Sequence, residues 1–159
     1  MNYIILDLEW DSVFFKKESR FINQIIQIGA VKLNSDFDII DTFEVTVKSE
    51  ISNRVSGRFS RLTGITSDMM RNGTPMDRAF QMYNEWSGTD TVTMTWSNSD
   101  LYSIIENERY LANGEHFKIE KYLDLQCFVQ NEMRAEGVEI KSQISLENAA
   151  NIAGITIDS

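Results

Sequence analysis

The run Tyr3-Ile-Ile-Leu-Asp-Leu-Glu-Trp10 restricts the fold of this chain more than any other stretch. Side chains alternate along a strand, so Asp7 and Glu9 share one face while Leu6, Leu8 and Trp10 share the other. Ile4 and Ile5 open both faces with apolar residues, so the strand begins buried on each side. Two carboxylates two residues apart on one face repel each other, and acidic residues are depleted in strands. One arrangement that tolerates them is an edge strand with a wet acidic face. The other is a divalent cation, since hard cations take carboxylate oxygens. On this motif alone the two readings stand even.

At 159 residues, with 42% hydrophobic and 11% aromatic content, the chain has the size and composition of one folded domain, residues 1–159. No apolar run approaches the roughly 20 residues needed to span a bilayer, and no signal segment opens the sequence, so no membrane partner is expected. Cys127 is the only cysteine, which excludes an internal disulfide and points to a reducing, cytoplasmic setting. A formal charge of −9 argues against a purely electrostatic nucleic-acid binder. Metal ions held by carboxylates would supply positive charge of their own. The charge is also uneven: between Lys48 and Arg71, five basic residues stand against Glu50 and Asp68.

Along the chain, Asp11 to Asn23 is polar and reads as a loop. Ile25 to Leu33 and Phe37 to Val47 read as two further strands, giving an antiparallel meander. From 53 to 63 the period becomes helical: Val55, Phe59 and Leu62 form one stripe and Arg54, Arg58 and Arg61 the next. Gly64 is placed as its C-terminal cap, and Thr66 or Ser67 opens a short turn of helix through Met70. Thr74 and Pro75 start a helix whose inner face is Met76, Ala79, Phe80, Tyr83 and Trp86. Thr91 to Trp96 is a fourth strand, expected parallel to the first through a crossover. Ser97 to Asp100 then opens a helix with Leu101, Ile104, Ile105 and Leu111 or Ala112 inward. A helix over about 124–136 faces Leu125, Phe128, Val129 and Met133 inward, and a last one from Ser145 buries Leu146, Ala149, Ala150 and Ile152 or Ala153. Trp10, Trp86 and Trp96 are expected in the core, Cys127 in inert packing, and His116 on a surface loop.

Asp100 is the third carboxylate of interest. If the fourth strand lies beside the first, Asp7, Glu9 and Asp100 converge at the C-terminal end of a parallel pair, where open α/β sheets place ligand sites. Taken alone, Asp100 reads more readily as helix N-terminal stabilisation.

The ordered segments Ile4-Ile-Leu-Asp-Leu-Glu-Trp10, Ile25 to Leu33, Leu62-Thr-Gly-Ile-Thr66, Trp96-Ser-Asn-Ser-Asp-Leu101, Asp124-Leu-Gln126 and Ser145 to Ala150 resemble the DEDD (DnaQ-like, DEDDh-type) 3′-to-5′ exonucleases. Among these, the Asp-Leu-Glu-Trp and Thr-Trp-x-Asn-x-Asp forms look closest to the KapD and histone-mRNA exonuclease-like group. The resemblance implies an α/β, RNase H-like fold: a mixed sheet of five-stranded type with a three-strand antiparallel meander and flanking helices. It implies hydrolysis of RNA or single-stranded DNA from a 3′ end with two divalent cations, Mg²⁺ or Mn²⁺. Asp7, Glu9 and Asp100 match the metal-binding and catalytic carboxylates. Leu8, Trp10, Leu62, Thr63, Ile65, Asn98, Arg58 and Arg61 fall where substrate contacts are expected, although the arginine stripe by itself reads first as a solvated helix face.

One element of the family's pattern is missing. A fourth carboxylate follows a His by five residues or a Tyr by four, near the C-terminus. Five residues after His116 stands Lys121, and Tyr-x-x-x-Asp occurs only from Tyr3 to Asp7. The resemblance therefore implies a chain that stops before its final helix, with weak metal binding and little hydrolysis. It also implies an uncovered apolar surface that favours a homodimer. The alternative is a non-catalytic nucleic-acid-binding or regulatory module on the same fold.

Overall fold

The computed structural model describes residues 1–111 and 114–156. Three long strands, β1 (Asn2–Phe15), β2 (Arg20–Leu33) and β3 (Ile39–Lys48), form the antiparallel meander. Two short helices follow, α1 (Gly57–Thr63) and α2 (Ser67–Arg71). A two-residue strand β4 (Thr74–Pro75) leads into α3 (Met76–Ser87), then β5 (Thr91–Thr95), α4 (Ser99–Glu108), β6 (Lys121–Asp124), α5 (Leu125–Ala135) and α6 (Leu146–Ile152). The sheet order is β4-β3-β2-β1-β5-β6, with β5 parallel to β1 and β6 parallel to β5. The expected α/β architecture and the parallel crossover are both present.

One face of the sheet carries the main core. Ile4, Leu6 and Leu8 of β1, with Ile25 and Ile28 of β2, pack against Met76, Ala79, Phe80 and Tyr83 of α3 and Ile104 of α4. Ile4 and Phe80 are fully buried. On the opposite face Ile26 packs with Phe59, Ile65 and Met70 under α1 and α2. A third cluster joins Met133 of α5 and Ala149 of α6 to Trp96. The adjacent isoleucines Ile25 and Ile26 serve different layers at a β-bulge, where the register slips between Glu9 and Trp10.

Several expectations are corrected. The stretch 11–23 is no loop: β1 and β2 continue to Phe15 and from Arg20, as a hairpin that projects beyond the rest of the sheet. Phe14 pairs with Phe21 across it, and Phe15 meets Tyr110 edge to face. The charged turn around Lys16-Lys17-Glu18 hides this alternation from a sequence reading. The sheet has six strands rather than five. β4 and β6 are too short to show a period of two, and long-range pairing alone defines them. Thr74 accordingly pairs in β4 with Val47, and Pro75 holds the N-cap position of α3.

The helical faces are also narrower than the apolar patterns suggested. Ile105, Phe128, Leu146, Ile152 and Ala153 are exposed, as is Cys127. Trp10 lies at the surface, not in the core. Ala112, offered for the inner face of α4, is outside the described residues. Among the described residues no helix is long and apolar enough to cross a membrane.

Candidate active site

β1 pairs with β5 only from Asn2 to Ile5. Beyond that point β5 ends and the chain turns into α4, which leaves the backbone of β1 from Leu6 onward open along this edge. Asp100, the second residue of α4, fills the gap. Its Oδ1 accepts the Leu8 backbone N–H at 3.1 Å, and the residue is 8% exposed. The carboxylate therefore stands against the peptide that separates Asp7 from Glu9. Leu6 and Leu8 turn into the core, which sends Asp7 and Glu9 to the other face. Asp100, more than ninety positions further along the chain, is thus brought to the β1 backbone between Asp7 and Glu9.

Their electrostatics record that proximity. Burial pushes the Asp100 carboxyl up to about 6, and the charges of Asp7 and Glu9 add to the rise, against the lowering effect of the Leu8 N–H bond. Glu9 is raised as well, by burial and then by Asp7. Neutralising such a cluster requires protons or a cation, and three hard oxygen donors suit a divalent ion such as Mg²⁺ or Mn²⁺. The donor chemistry fits. Among the described residues, however, no three His, Cys, Asp or Glu side chains are grouped so that they could hold a metal ion. His116 is no part of this site. It is exposed near Glu108, at the opposite end of α4 from Asp100 and roughly 12 Å along the helix.

The β5–α4 turn that delivers Asp100 is strained. Ser97 has φ 117°, in the half of the map that an L-residue with a Cβ avoids. Its carbonyl is held by two hydroxyls, those of Thr95 and of Tyr122, the latter at 3.1 Å, and the two hydroxyls are themselves 2.8 Å apart. The Tyr122 phenol is raised by burial and by the nearby Asp124 and Asp100 charges. Asn98 follows at the N-cap of α4, exposed and without a capping bond from its side chain. Sequence reasoning missed Thr95 and Tyr122 because only β5–β6 pairing brings them together.

A third missed residue is Asp11. It continues the acidic face of β1, yet it is 6% exposed and committed elsewhere. Its oxygens accept the Ser56 backbone N–H at 2.6 Å and the Ser56 hydroxyl at 2.8 Å. Ser56 in turn caps α1 by accepting from the Phe59 N–H at 3.1 Å. The available signal was the recurrence Asp7, Glu9, Asp11 at a spacing of two.

This tie holds α1 beside the strand edge. A cleft of about 480 Å³ opens between them, lined by Trp10, Ser12, Arg58, Phe59 and Leu62. Among the described residues Leu62 is the most exposed of the large apolar side chains at 75%, and Arg58 and Arg61 project from the same helix into solvent. Three other expected contacts are placed differently. The side chains of Leu8 and Ile65 are buried, so neither offers apolar surface to a base. The Thr63 hydroxyl is spent inside the helix end, donating to the Phe59 carbonyl and accepting from the Ile65 N–H.

Comparison with known proteins adds the lineage. Over 100 residues the chain is 29% identical to the PolC-type DNA polymerase III of Listeria innocua, a match that covers 63% of this chain and 6% of the polymerase. The nuclease domain of 3′hExo, a DEDDh family member solved with rAMP, superposes with TM-score 0.79 at 21% identity, covering 99% of this chain and 81% of that one. The cell-death related nuclease CRN-4 gives 0.73 at 16%, covering 98% and 55%. E. coli exonuclease I, solved with an oligonucleotide, gives 0.64 at 16%, covering 97% and 36%. These likenesses establish the RNase H-like exonuclease fold. Residues 4–156 match the RNase T-type exonuclease family, and the chain belongs to it.

Proposed function

We propose that this chain is a 3′-to-5′ exonuclease domain acting on single-stranded RNA or DNA, with Asp7, Glu9 and Asp100 as its metal-binding carboxylates. The observation that carries this is the docking of Asp100 on the Leu8 N–H, which sets it between the two acids of β1. When bound, two divalent cations would supply an activated water and charge stabilisation for the leaving 3′ oxygen. Asp7, Glu9 and Asp100 are the residues that would hold those ions at the β1 edge, with Asp100 fixed there by the Leu8 N–H. Trp10 and Leu62 offer the terminal base an apolar wall in the cleft, and Arg58 and Arg61 meet the backbone. Asn98, uncommitted at the start of α4, is placed to donate to a phosphate or sugar oxygen.

The finer placing, with the KapD and histone-mRNA exonuclease-like proteins, rests on Asp7-Leu-Glu-Trp10 and on Thr95-Trp-Ser-Asn-Ser-Asp100. A cytoplasmic setting rests on the single thiol, Cys127. A second reading, a nucleic-acid-binding module without hydrolysis, is favoured by one observation. Among the described residues no imidazole stands at the acids to take the proton of an attacking water.

A 5′-labelled single-stranded oligonucleotide separates the two. The nuclease reading expects slow shortening from the 3′ end in Mn²⁺, no shortening in chelator, and none with Asp7→Asn. Binding that persists with no shortening at any Mn²⁺ concentration assigns the module reading.

A further inference from the structure

The projecting hairpin buries Ile22 on one side, yet its other side carries an exposed aromatic pair. Phe14 and Phe21 stand directly opposite each other on β1 and β2, 54% and 66% exposed. Their rings are locked edge to face at 5.4 Å with an interplanar angle of 68°. Exposed phenylalanines in such a preformed pair cost solvation and do not stabilise a core.

The pair is continuous with the cleft. Trp10, Ser12 and Phe14 alternate onto one side of β1, and Trp10 and Ser12 already line the cleft with Leu62 and Arg58. At about 3.3 Å per residue, Phe14 lies roughly 13 Å from Trp10 along the strand. The ribbon is also basic within an acidic protein. Across 12–24 it has Lys16, Lys17 and Arg20 against Glu18 alone, and Arg20 pairs with Glu18 and Glu106. Among the described residues Lys16 and Lys17 form no ion pair, and the Lys17 ammonium lies 6.0 Å from the Phe15 ring centroid.

We propose that this ribbon is a second nucleic-acid contact, on which bases upstream of the 3′ terminus stack against Phe14 and Phe21 while Lys16 and Lys17 meet their phosphates. The proposal rests on the exonuclease reading and extends its substrate to a single strand several nucleotides long. Alternating aromatics and cations are what a sequence-tolerant single-strand platform requires, because every base has a π-face. A second copy of the chain fits the ribbon less well. Isologous pairing would set the lysines of both copies against each other, on molecules that each carry a formal charge of −9.

The test is oligonucleotide binding in chelator, followed with aminopurine placed either at the 3′ end or at an internal position. Stacking on the ribbon quenches the internal probe. Phe14→Leu with Phe21→Leu, which keeps an apolar surface but removes the rings, should abolish internal quenching, leave terminal quenching intact, and weaken affinity by about tenfold. Lys16→Glu with Lys17→Glu should flatten the slope of log affinity against log salt by about 1.4. Internal quenching that survives the leucine pair overturns the ribbon contact and leaves the exonuclease reading standing. The ribbon contact is equally overturned if the unaltered protein is a dimer that the leucine pair dissociates. Failure of the unaltered chain to bind or quench either oligonucleotide overturns the exonuclease reading itself.

Discussion

Asp100 shows how one residue couples stability to ligand binding. In the folded chain its carboxyl titrates at about 6, whereas an unfolded aspartate titrates near 3.9. Between those values the native state holds a proton that the unfolded state has released, so stability falls as pH rises through the window. Above it the full cost of a charged, buried Asp100 is present. Asp100→Asn removes the charge and keeps an oxygen acceptor for the Leu8 N–H. The variant should therefore melt higher than the unaltered chain at neutral pH in chelator, by about 2–4 °C for each kcal/mol relieved, and no higher near pH 4. Added Mn²⁺ should raise the melting temperature of the unaltered chain and leave Asp100→Asn unmoved, since only a ligand bound to the native state stabilises it. Thermal denaturation across pH, with and without Mn²⁺, checks both signs. Equal melting points at every pH would remove the electrostatic account of the site.

At the scale of elements, α1 is too short to persist by propensity, and its position depends on what grips its ends. Gly64, with φ 77°, closes one end, and Ser56 closes the other under the hold of Asp11. Asp11→Ala removes two charge-assisted bonds and leaves the Ser56 N–H without its partner. We expect a loss of about 1.5–3 kcal/mol in urea denaturation and faster amide exchange across 57–64. A widened cleft would then weaken binding of the 3′-terminal nucleotide, while the acids of β1 keep their places.

The helix starts were legible because their signals are local: Thr66 and Ser145 cap the helices expected of them, each accepting an N–H three residues on. The hairpin and β6 were not. Strand ends depend on partners far along the chain, and the polar residues 16–20 concealed a turn that those partners enforce.

At the scale of the whole molecule, the basic island belongs to a chain of formal charge −9. None of Arg54, Arg58 and Arg61 has an acidic partner within ion-pair distance among the described residues, whereas Arg71 pairs with Asp68. Reversing Arg58 and Arg61 to Glu should weaken single-strand binding and flatten its salt slope by about 0.7 for each lost phosphate contact. Unchanged affinity would return both to the solvent face. A second surface concerns assembly. Trp96, Val129, Met133, Leu146, Ala149 and Ala150 line a groove of about 180 Å³ that is almost wholly apolar. Such a surface favours association, and we propose a homodimer through it in concentrated solution. Light scattering that returns a monomer mass at high concentration would count against it.

Residue order by itself determined the alternation that parts Asp7 and Glu9 from Leu6 and Leu8, the caps, and the α/β succession, since each depends on neighbours within a few positions. Whether the two acids formed a wet edge or half of a site was open on that evidence. Tertiary structure adds what the order could not: β5 pairs with β1 for only four residues and then yields the strand edge to Asp100, whose carboxylate takes the Leu8 N–H between the two acids. It also withdrew Leu8 and Ile65 from the surface, tied up the Thr63 hydroxyl, and recruited Asp11, Thr95 and Tyr122 as supports. Burial and long-range hydrogen bonding are properties of packed elements, and no local pattern of residues contains them.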